Sequence, residues 1–270
     1  MWTQSYQQLV NRNLGLVSES EQEKLRNSCV AVCGLGGLGG IIAEILARTG
    51  VENFRLLDHG TFEPTNMNRQ IFSFTDTEGR YKTDVTKDYL QRINPAICTE
   101  NFLQVTPDNT AELLNGVDAV ALSVDDIEAI VTLSRAARER NISLVEGWAL
   151  AYGNVRVFTP DTPSLEEVYN LPTIGQDITS FSKEEQKELL LHSLLSMKNI
   201  DGLEDYYPDE ATARLQKKGE GTTLAPMVWL TSVLMADEIF KILTGWGKLA
   251  LAPDFAVYDS IEHRIPGKSK

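Results

Sequence analysis

The sequence predicts an α/β protein built on a mainly parallel sheet with helices on both faces. Three observations predict it. Short apolar runs alternate with helical patterns through residue 147, the signature of a sheet wound in both directions. A glycine-rich turn joins the first such run directly to a helix. The chain has 270 residues, 42% hydrophobic and 23% charged, which is ordinary globular composition with length enough to bury a large core without disulfides or metals.

The elements follow in order. Residues 3–26 read as two short helices, the second opened by Ser18 with Glu21 at the capping-box spacing. CVAVC at 29–33 is a buried strand, and IIAEILARTG is a helix closed by Gly50. FRLLD at 54–58 is a second strand that ends in an acid. KTDVTKDYLQRI at 82–93 is helical and is stopped by Asn94-Pro95. ICTENFLQV is a third strand, NTAELL a short helix capped by Asp108, and DAVALSV at 118–124 a fourth strand. IEAIVTLSRAARER is a helix, followed by the strand ISLVEG.

The pattern then changes. NVRVF at 154–158 alternates as a short strand. Residues 160–223 are rich in Pro, Asp, Glu, Ser and Thr and contain one helical stretch, SKEEQKELLLHSLLSM, which suits an inserted crossover or lid. A helix is expected over about 225–244, ended by Gly245, with DFAVYD and IEHRI as a closing antiparallel hairpin. The expected organisation is a first part over 1–158 with an N-terminal helical arm, an inserted segment over 159–223, and a C-terminal helix with closing strands over 224–270 that completes the first part.

Charge and cysteine content restrict the partners. The net charge of −13 disfavours non-specific binding to nucleic acid and anionic lipid. The three cysteines, Cys29, Cys33 and Cys98, do not make a disulfide framework and suit a reducing compartment. The first residues lack an apolar leader, and the apolar stretch at 224–236 is shorter than the ~20 residues that span a bilayer. The expected location is the cytoplasm, with no membrane partner.

The chemistry-bearing residues gather at predicted strand ends. Gly34, Gly36 and Gly39 fit G-x-G-x-x-G between a strand and a helix, with Gly37 inside the same turn. Glycines let backbone N–H groups approach phosphate oxygens, and the helix N-terminus favours negative charge. Asp58 ends the second strand, where a carboxylate accepts hydrogen bonds from ribose hydroxyls. Together these predict a Rossmann-like nucleotide site, with NAD and ATP both open.

Further on, Asn66, Asn68, Arg69 and Gln70 form a polar cluster, Lys82 opens the next helix, and Asp125 lies past the fourth strand. In an open α/β sheet these ends converge on one crevice. Arg69 and Lys82 facing a glycine turn suit a triphosphate, and Asp125 suits its Mg²⁺. Taken singly, each also fits an ordinary role: Lys82 as solvated surface, Asp125 and Asp126 as helix caps.

These motifs resemble the ThiF/MoeB/HesA family, bacterial relatives of ubiquitin-activating enzymes. GLGGLGG, LLD, NMNRQ, a Lys at the following helix start and RINP at 92–95 stand in the family's order, over roughly 8–158 and again over 224–262. The resemblance implies an ATP-dependent adenylyltransferase that converts a carboxylate into an acyl-adenylate and pyrophosphate. It implies that Gly34, Gly36, Gly37 and Gly39 line the nucleotide, that Asp58 holds the ribose, that Asn66, Asn68, Arg69 and Gln70 lie against the phosphates with Lys82, and that Asp125 binds Mg²⁺. Arg12, in VNRN, matches an arginine that reaches the neighbouring subunit's nucleotide, which implies a homodimer.

Three departures matter. No cysteine follows Cys98, so the family's paired zinc cysteines and its crossover-segment catalytic cysteine are both missing. No zinc site is expected, and the acyl group is expected to pass to a separate nucleophile without an enzyme-bound thioester. Asp126 and Ile130 stand where the family often has Asn and Arg. The carboxylate is expected to be a small cofactor precursor, a peptide or the C-terminus of a ubiquitin-like protein. The alternatives are an NAD(P)-dependent oxidoreductase and a catalytically degenerate nucleotide-binding scaffold. His59, His192 and His263 are scattered, and Trp148 fits core packing or a position facing substrate.

Overall fold

The structure is a computed structural model that describes residues 2–106, 108–198, 209–218 and 221–263. Two helices open the chain, α1 (Gln4–Val10) and α2 (Glu19–Asn27). Ser18 and Glu21 form the expected capping box. The alternating part runs β1 (Cys29–Cys33), α3 (Gly39–Thr49), β2 (Asn53–Leu57), α4 (Lys82–Ile93), β3 (Cys98–Phe102), α5 (Thr110–Leu113), β4 (Ala119–Leu122), α6 (Ile127–Glu139) and β5 (Ser143–Glu146). Then follow β6 (Gly153–Phe158), α7 (Leu165–Val168), α8 (Lys183–Lys198), α9 (Asp209–Lys218), α10 (Ala225–Thr244) and β7 (Ala256–Tyr258).

The strands form one sheet in the order β3-β2-β1-β4-β5-β6-β7. The first five are parallel, β6 runs antiparallel to β5, and β7 antiparallel to β6. β1 and β4 are buried along their whole length because helices cover both faces, which is why they read as unbroken apolar runs. One face packs Val30, Val32 and Ala121 under Ile42 of α3 and Met235 of α10. The other packs Ala31, Val120 and Leu144 under Val131 of α6. The edge strand β3, CTENF, is largely exposed and carries Glu100, bonded to Arg55 of β2, a polar edge that discourages pairing with another chain.

Four sequence expectations change. The closing hairpin is replaced by a single strand, β7, paired with β6; Ile261–His263 form a turn, and the rest of IEHRI lies outside the described residues. The short helix α5 is capped at Asn109 rather than Asp108, because Asn109 Oδ1 accepts from the Thr106 N–H and closes the turn itself. Among the described residues, the segment expected to hold one helix has three, α7, α8 and α9. Its first half is not a free lid. Arg138 donates to the carbonyls of Thr159, Pro160 and Thr162, and Arg135 makes a two-pronged pair with the buried Glu166 and reaches the carbonyls of Thr173 and Gln176. Both arginines project from α6.

Arg135→Ala strands the Glu166 carboxylate in a buried setting and is expected to cost about 3 kcal/mol. Urea unfolding at neutral pH measures it. Glu166 titrates below the usual glutamate value: burial pushes it up, but the Arg135 and Thr173 hydrogen bonds prevail. Its contribution is therefore present above the usual value and is lost as pH falls through the lowered one.

Candidate active site

The turn after β1 is tied from several sides. The Gly34 N–H donates to the Leu57 carbonyl at 2.7 Å, and Ser123 Oγ, just past β4, lies 2.8 Å from the Gly34 carbonyl and 2.9 Å from that of Cys33. Gly34 has φ +92°, and a Cβ there would lie 2.3 Å from the Ser123 carbonyl oxygen. At Gly39 a Cβ would lie 1.7 Å from the Gly34 oxygen, and at Gly37 it would lie 2.8 Å from Val228 Cγ1 of α10. These three glycines are required by the protein's own packing. Gly36 differs: its nearest neighbour would be Gln70 Nε2 at 3.7 Å. The protein leaves that space open above a run of backbone amides at the start of α3.

Asp58 fastens the turn to the end of β2. Its Oδ2 accepts from the Leu35 N–H and its Oδ1 from the Gly60 N–H, both at 2.7 Å. A carboxylate has about four acceptor positions, so each oxygen keeps one for a ligand hydroxyl. Lys82, the first residue of α4, lies against Gly60: Lys82 Nζ is 3.4 Å, and Asp58 Oδ1 3.1 Å, from where a Gly60 side chain would sit. The Lys82 N–H donates to the Gly60 carbonyl. The structure thus brings Gly36, Asp58 and Lys82 to one crevice.

The NMNRQ segment reaches the same crevice through a short 3-10 turn, Pro64–Asn66. Asn66 is buried and its Oδ1 accepts from the Glu63 N–H at 3.2 Å, so it shapes the turn. Arg69 Nη1 donates to the Thr65 carbonyl and to Asn68 Oδ1. Burial lowers the Arg69 pKa, against the opposing pull of the Asp125 charge, but a guanidinium stays protonated regardless. Gln70 is buried, and its Oε1 has no partner among the described residues. Toward the open space at Gly36 the side chain turns its Nε2, a donor.

Past β4, the two adjacent acids separate by role. Asp126 caps α6, accepting from the Ala129 N–H at 2.8 Å. Asp125 is exposed, engages no hydrogen bond or ion pair among the described residues, and faces the Arg69 charge. No three of His, Cys, Asp and Glu among the described residues group as a metal cage. A Mg²⁺ that arrives with a nucleotide takes one or two carboxylates plus phosphate oxygens and water, and Asp125 fits that donor set. The open space over Gly36, the Gln70 Nε2 donor beside it and the two nearby cations fit the phosphates of a nucleotide.

Arg12 is not brought to this crevice. It is exposed in the turn after α1, and its neighbour Asn13 donates to the carbonyl of Thr49 at the far end of α3. The glycine turn opens that helix, so roughly 16 Å separates the two ends at 1.5 Å per residue. Trp148 serves packing: Nε1 donates to Tyr169 OH, which donates to the buried Glu146. His192 Nε2 bonds the Tyr169 carbonyl, whereas His59 is exposed.

Three contributors escape the sequence reading. Ser123 clamps the glycine turn. Thr223 and Trp229 hold the NMNRQ segment, the Thr223 carbonyl accepting from Asn68 Nδ2 and Trp229 Nε1 donating to the Arg69 carbonyl. A small polar residue at the end of the strand beside β1 is a usable signal for Ser123; nothing local in the sequence connects residues 223–229 with 68–69.

Burial raises the Glu146 pKa, only partly offset by Arg156 and the Tyr169 hydrogen bond. The unfolded chain therefore loses this proton first as pH rises, and stability declines from the ordinary value of 4.5 upward until the native group ionises. Glu146→Gln, which does not titrate, should gain on wild type in melting temperature as pH rises above that value, and parallel melts between pH 4 and pH 8 follow it.

The chain matches the ThiF family over residues 10–268. Molybdopterin-synthase adenylyltransferase from Haemophilus influenzae is 33% identical over 154 residues, covering 56% of this chain and 63% of that protein. The tRNA threonylcarbamoyladenosine dehydratase of the same organism is 32% identical over 125 residues, covering 45% and 48%. The chain thus spans less than two thirds of either curated relative. Among solved structures, PaaA superposes with a TM-score of 0.73 at 23% identity, covering 100% of this chain and 84% of that one. Escherichia coli MccB with ATP superposes with a TM-score of 0.65 at 20% identity, covering 93% and 65%. Both likenesses speak to the fold.

Proposed function

Because the chain belongs to the ThiF family, we propose that it is an ATP-dependent adenylyltransferase that activates a carboxylate as an acyl-adenylate. The observation that carries this reading is the open space over Gly36, faced by the Gln70 Nε2 donor, with Arg69, Lys82 and Asp125 nearby. A substrate carboxylate oxygen attacks the α-phosphorus, the bond from that phosphorus to the bridging α–β oxygen breaks, and pyrophosphate leaves with the electron pair. Arg69 and Lys82 offset the charge that builds on the phosphates, and the amides after Gly34 hold them in place. Asp125 would hold a Mg²⁺, which when bound would supply further charge neutralisation. Asp58 orients the ribose while keeping the turn closed.

The acyl group leaves for a separate nucleophile. Burial pushes the Cys29 and Cys33 thiols up to about 11 and about 12, which makes them poor nucleophiles. Cys98 is exposed but opens β3, at the end of the sheet away from the crevice. The carboxylate is a small cofactor precursor, a peptide or a ubiquitin-like C-terminus. MccB has been solved with MccA, and ubiquitin-like modifier-activating enzyme 5 is among the relatives.

Arg12 completes the site of a second copy in a homodimer. Mixing inactive Arg12→Ala and Asp125→Ala chains should restore activity through the mixed dimers, whereas two copies acting alone stay inactive. For the nucleotide itself, ATP with Mg²⁺ should raise the melting temperature and NAD should not; stabilisation by NAD alone would point to a hydride-transfer enzyme instead.

A further inference from the structure

Glu146 closes β5, and Arg156 of β6 lies directly opposite it in register. Their exposures are 3% and 4%. Two buried charges are stable together when they touch or when something bridges them. They do not touch: Glu146 Oε2 accepts from Tyr169 OH at 2.7 Å, and Arg156 Nη2 reaches only the Met197 sulfur at 3.3 Å. Glu146 Oε1 and Arg156 Nε and Nη1 have no partner among the described residues. The guanidinium lies among the rings of Phe255, Tyr169 and Phe158, at 4.9, 5.3 and 5.8 Å from their centroids. Its plane is therefore confined while one N–H edge stays unused. Trp148 Nε1 donates to the same Tyr169 OH that bonds Glu146 and so helps to fix that hydroxyl.

A bridging group must accept from Arg156 and donate to Glu146. A second carboxylate meets the charge of Glu146, and an amine meets that of Arg156. An amide does both jobs without charge: its carbonyl accepts from the guanidinium edge and its N–H donates to Glu146 Oε1. The place also fits. Glu146 pairs with Leu122, which pairs with Cys33, the residue before the glycine turn. Two strand spacings put Glu146 roughly 10 Å from that turn and three put Arg156 roughly 14 Å from it, within reach of an extended molecule whose carboxylate sits at the α-phosphate. Access requires Met197, which offers the guanidinium only a weak thioether acceptor, to yield its position.

We propose that Glu146 and Arg156 form a subsite for an amide group of the acyl substrate, which makes the substrate class carboxylates that carry a carboxamide or a peptide bond. The inference rests on the adenylation reading. Its test uses the full chain with Mg²⁺ and an ATP analogue whose α–β linkage cannot be cleaved, followed by thermal melts. The probes are succinamate for a primary amide, N-acetylglycine for a secondary one and butyrate as the amide-free control.

The analogue should raise the melting temperature. One of the amide probes should add a further shift that butyrate does not, and which one responds separates a side-chain carboxamide from a peptide bond. The paired variant Glu146→Leu with Arg156→Met removes both charges at once and so keeps the core compatible with folding. It should respond to the analogue as wild type does and bind the amide probe at least tenfold more weakly. Equal shifts with butyrate, an unchanged amide response in the paired variant, or no amide response at all would overturn the subsite and leave ordered water as the bridge. Failure of the analogue itself to stabilise the wild-type chain would defeat the adenylation reading, and the subsite with it.

Discussion

Asp125→Ala should reduce pyrophosphate exchange by about a thousandfold while the free protein melts as before. The side chain is exposed and engages no hydrogen bond or ion pair among the described residues, and the neighbouring cap of α6 belongs to Asp126. Its removal therefore costs the fold little. What it removes is the carboxylate proposed to hold a cation at the phosphates, one whose charge acts on Arg69. Asp125→Asn keeps the shape and loses the charge, so it should fall nearly as far. Asp126→Ala should do the reverse, costing about 1 kcal/mol of stability through the lost cap with a much smaller effect on rate. If the two aspartates exchanged these behaviours, the assignment of cap and cation site would be wrong.

Gly36→Ala and Gly39→Ala should separate ligand space from protein space within one turn. An added methyl at Gly39 falls 1.7 Å from the Gly34 carbonyl oxygen, a collision with backbone that no rotamer relieves. The expected loss is about 3 kcal/mol or more, or roughly 6 °C or more in melting temperature for a chain of this size. At Gly36 the methyl meets nothing closer than the Gln70 amide at 3.7 Å, so the free protein should melt within about 1 °C of wild type. The same methyl enters the space assigned to phosphate, and ATP with Mg²⁺ should lose most of its stabilising effect. A Gly36→Ala protein that binds ATP normally would place the phosphates elsewhere.

Much of this was legible in the chain itself, for physical reasons that differ by residue. CVAVC reads as a central strand because both its faces are covered, and Gly34 and Gly39 read as a turn because only glycine fits where two backbones nearly touch. Asp58 is recognisable as an acid at a strand end, but its second job, bonding the Leu35 and Gly60 amides, needs the folded turn to be seen. The clamp on Asn68 and Arg69 comes from Thr223 and Trp229, more than 150 residues away, and no local pattern encodes it. Arg12 is the converse case: its place in the sequence suits the site, yet its own fold holds it at the other end of α3. Glu146 and Arg156 look like a strand terminus and an alternating strand position, and only the register of β5 with β6 sets them face to face.

The most direct measurement of the central claim is carboxylate-dependent exchange of labelled pyrophosphate into ATP, run across small acids, peptides and ubiquitin-like C-termini. Exchange is expected with at least one of these classes, dependent on Mg²⁺ and lost in Asp125→Ala. A chain that binds ATP with Mg²⁺ yet exchanges no label with any of them would contradict it.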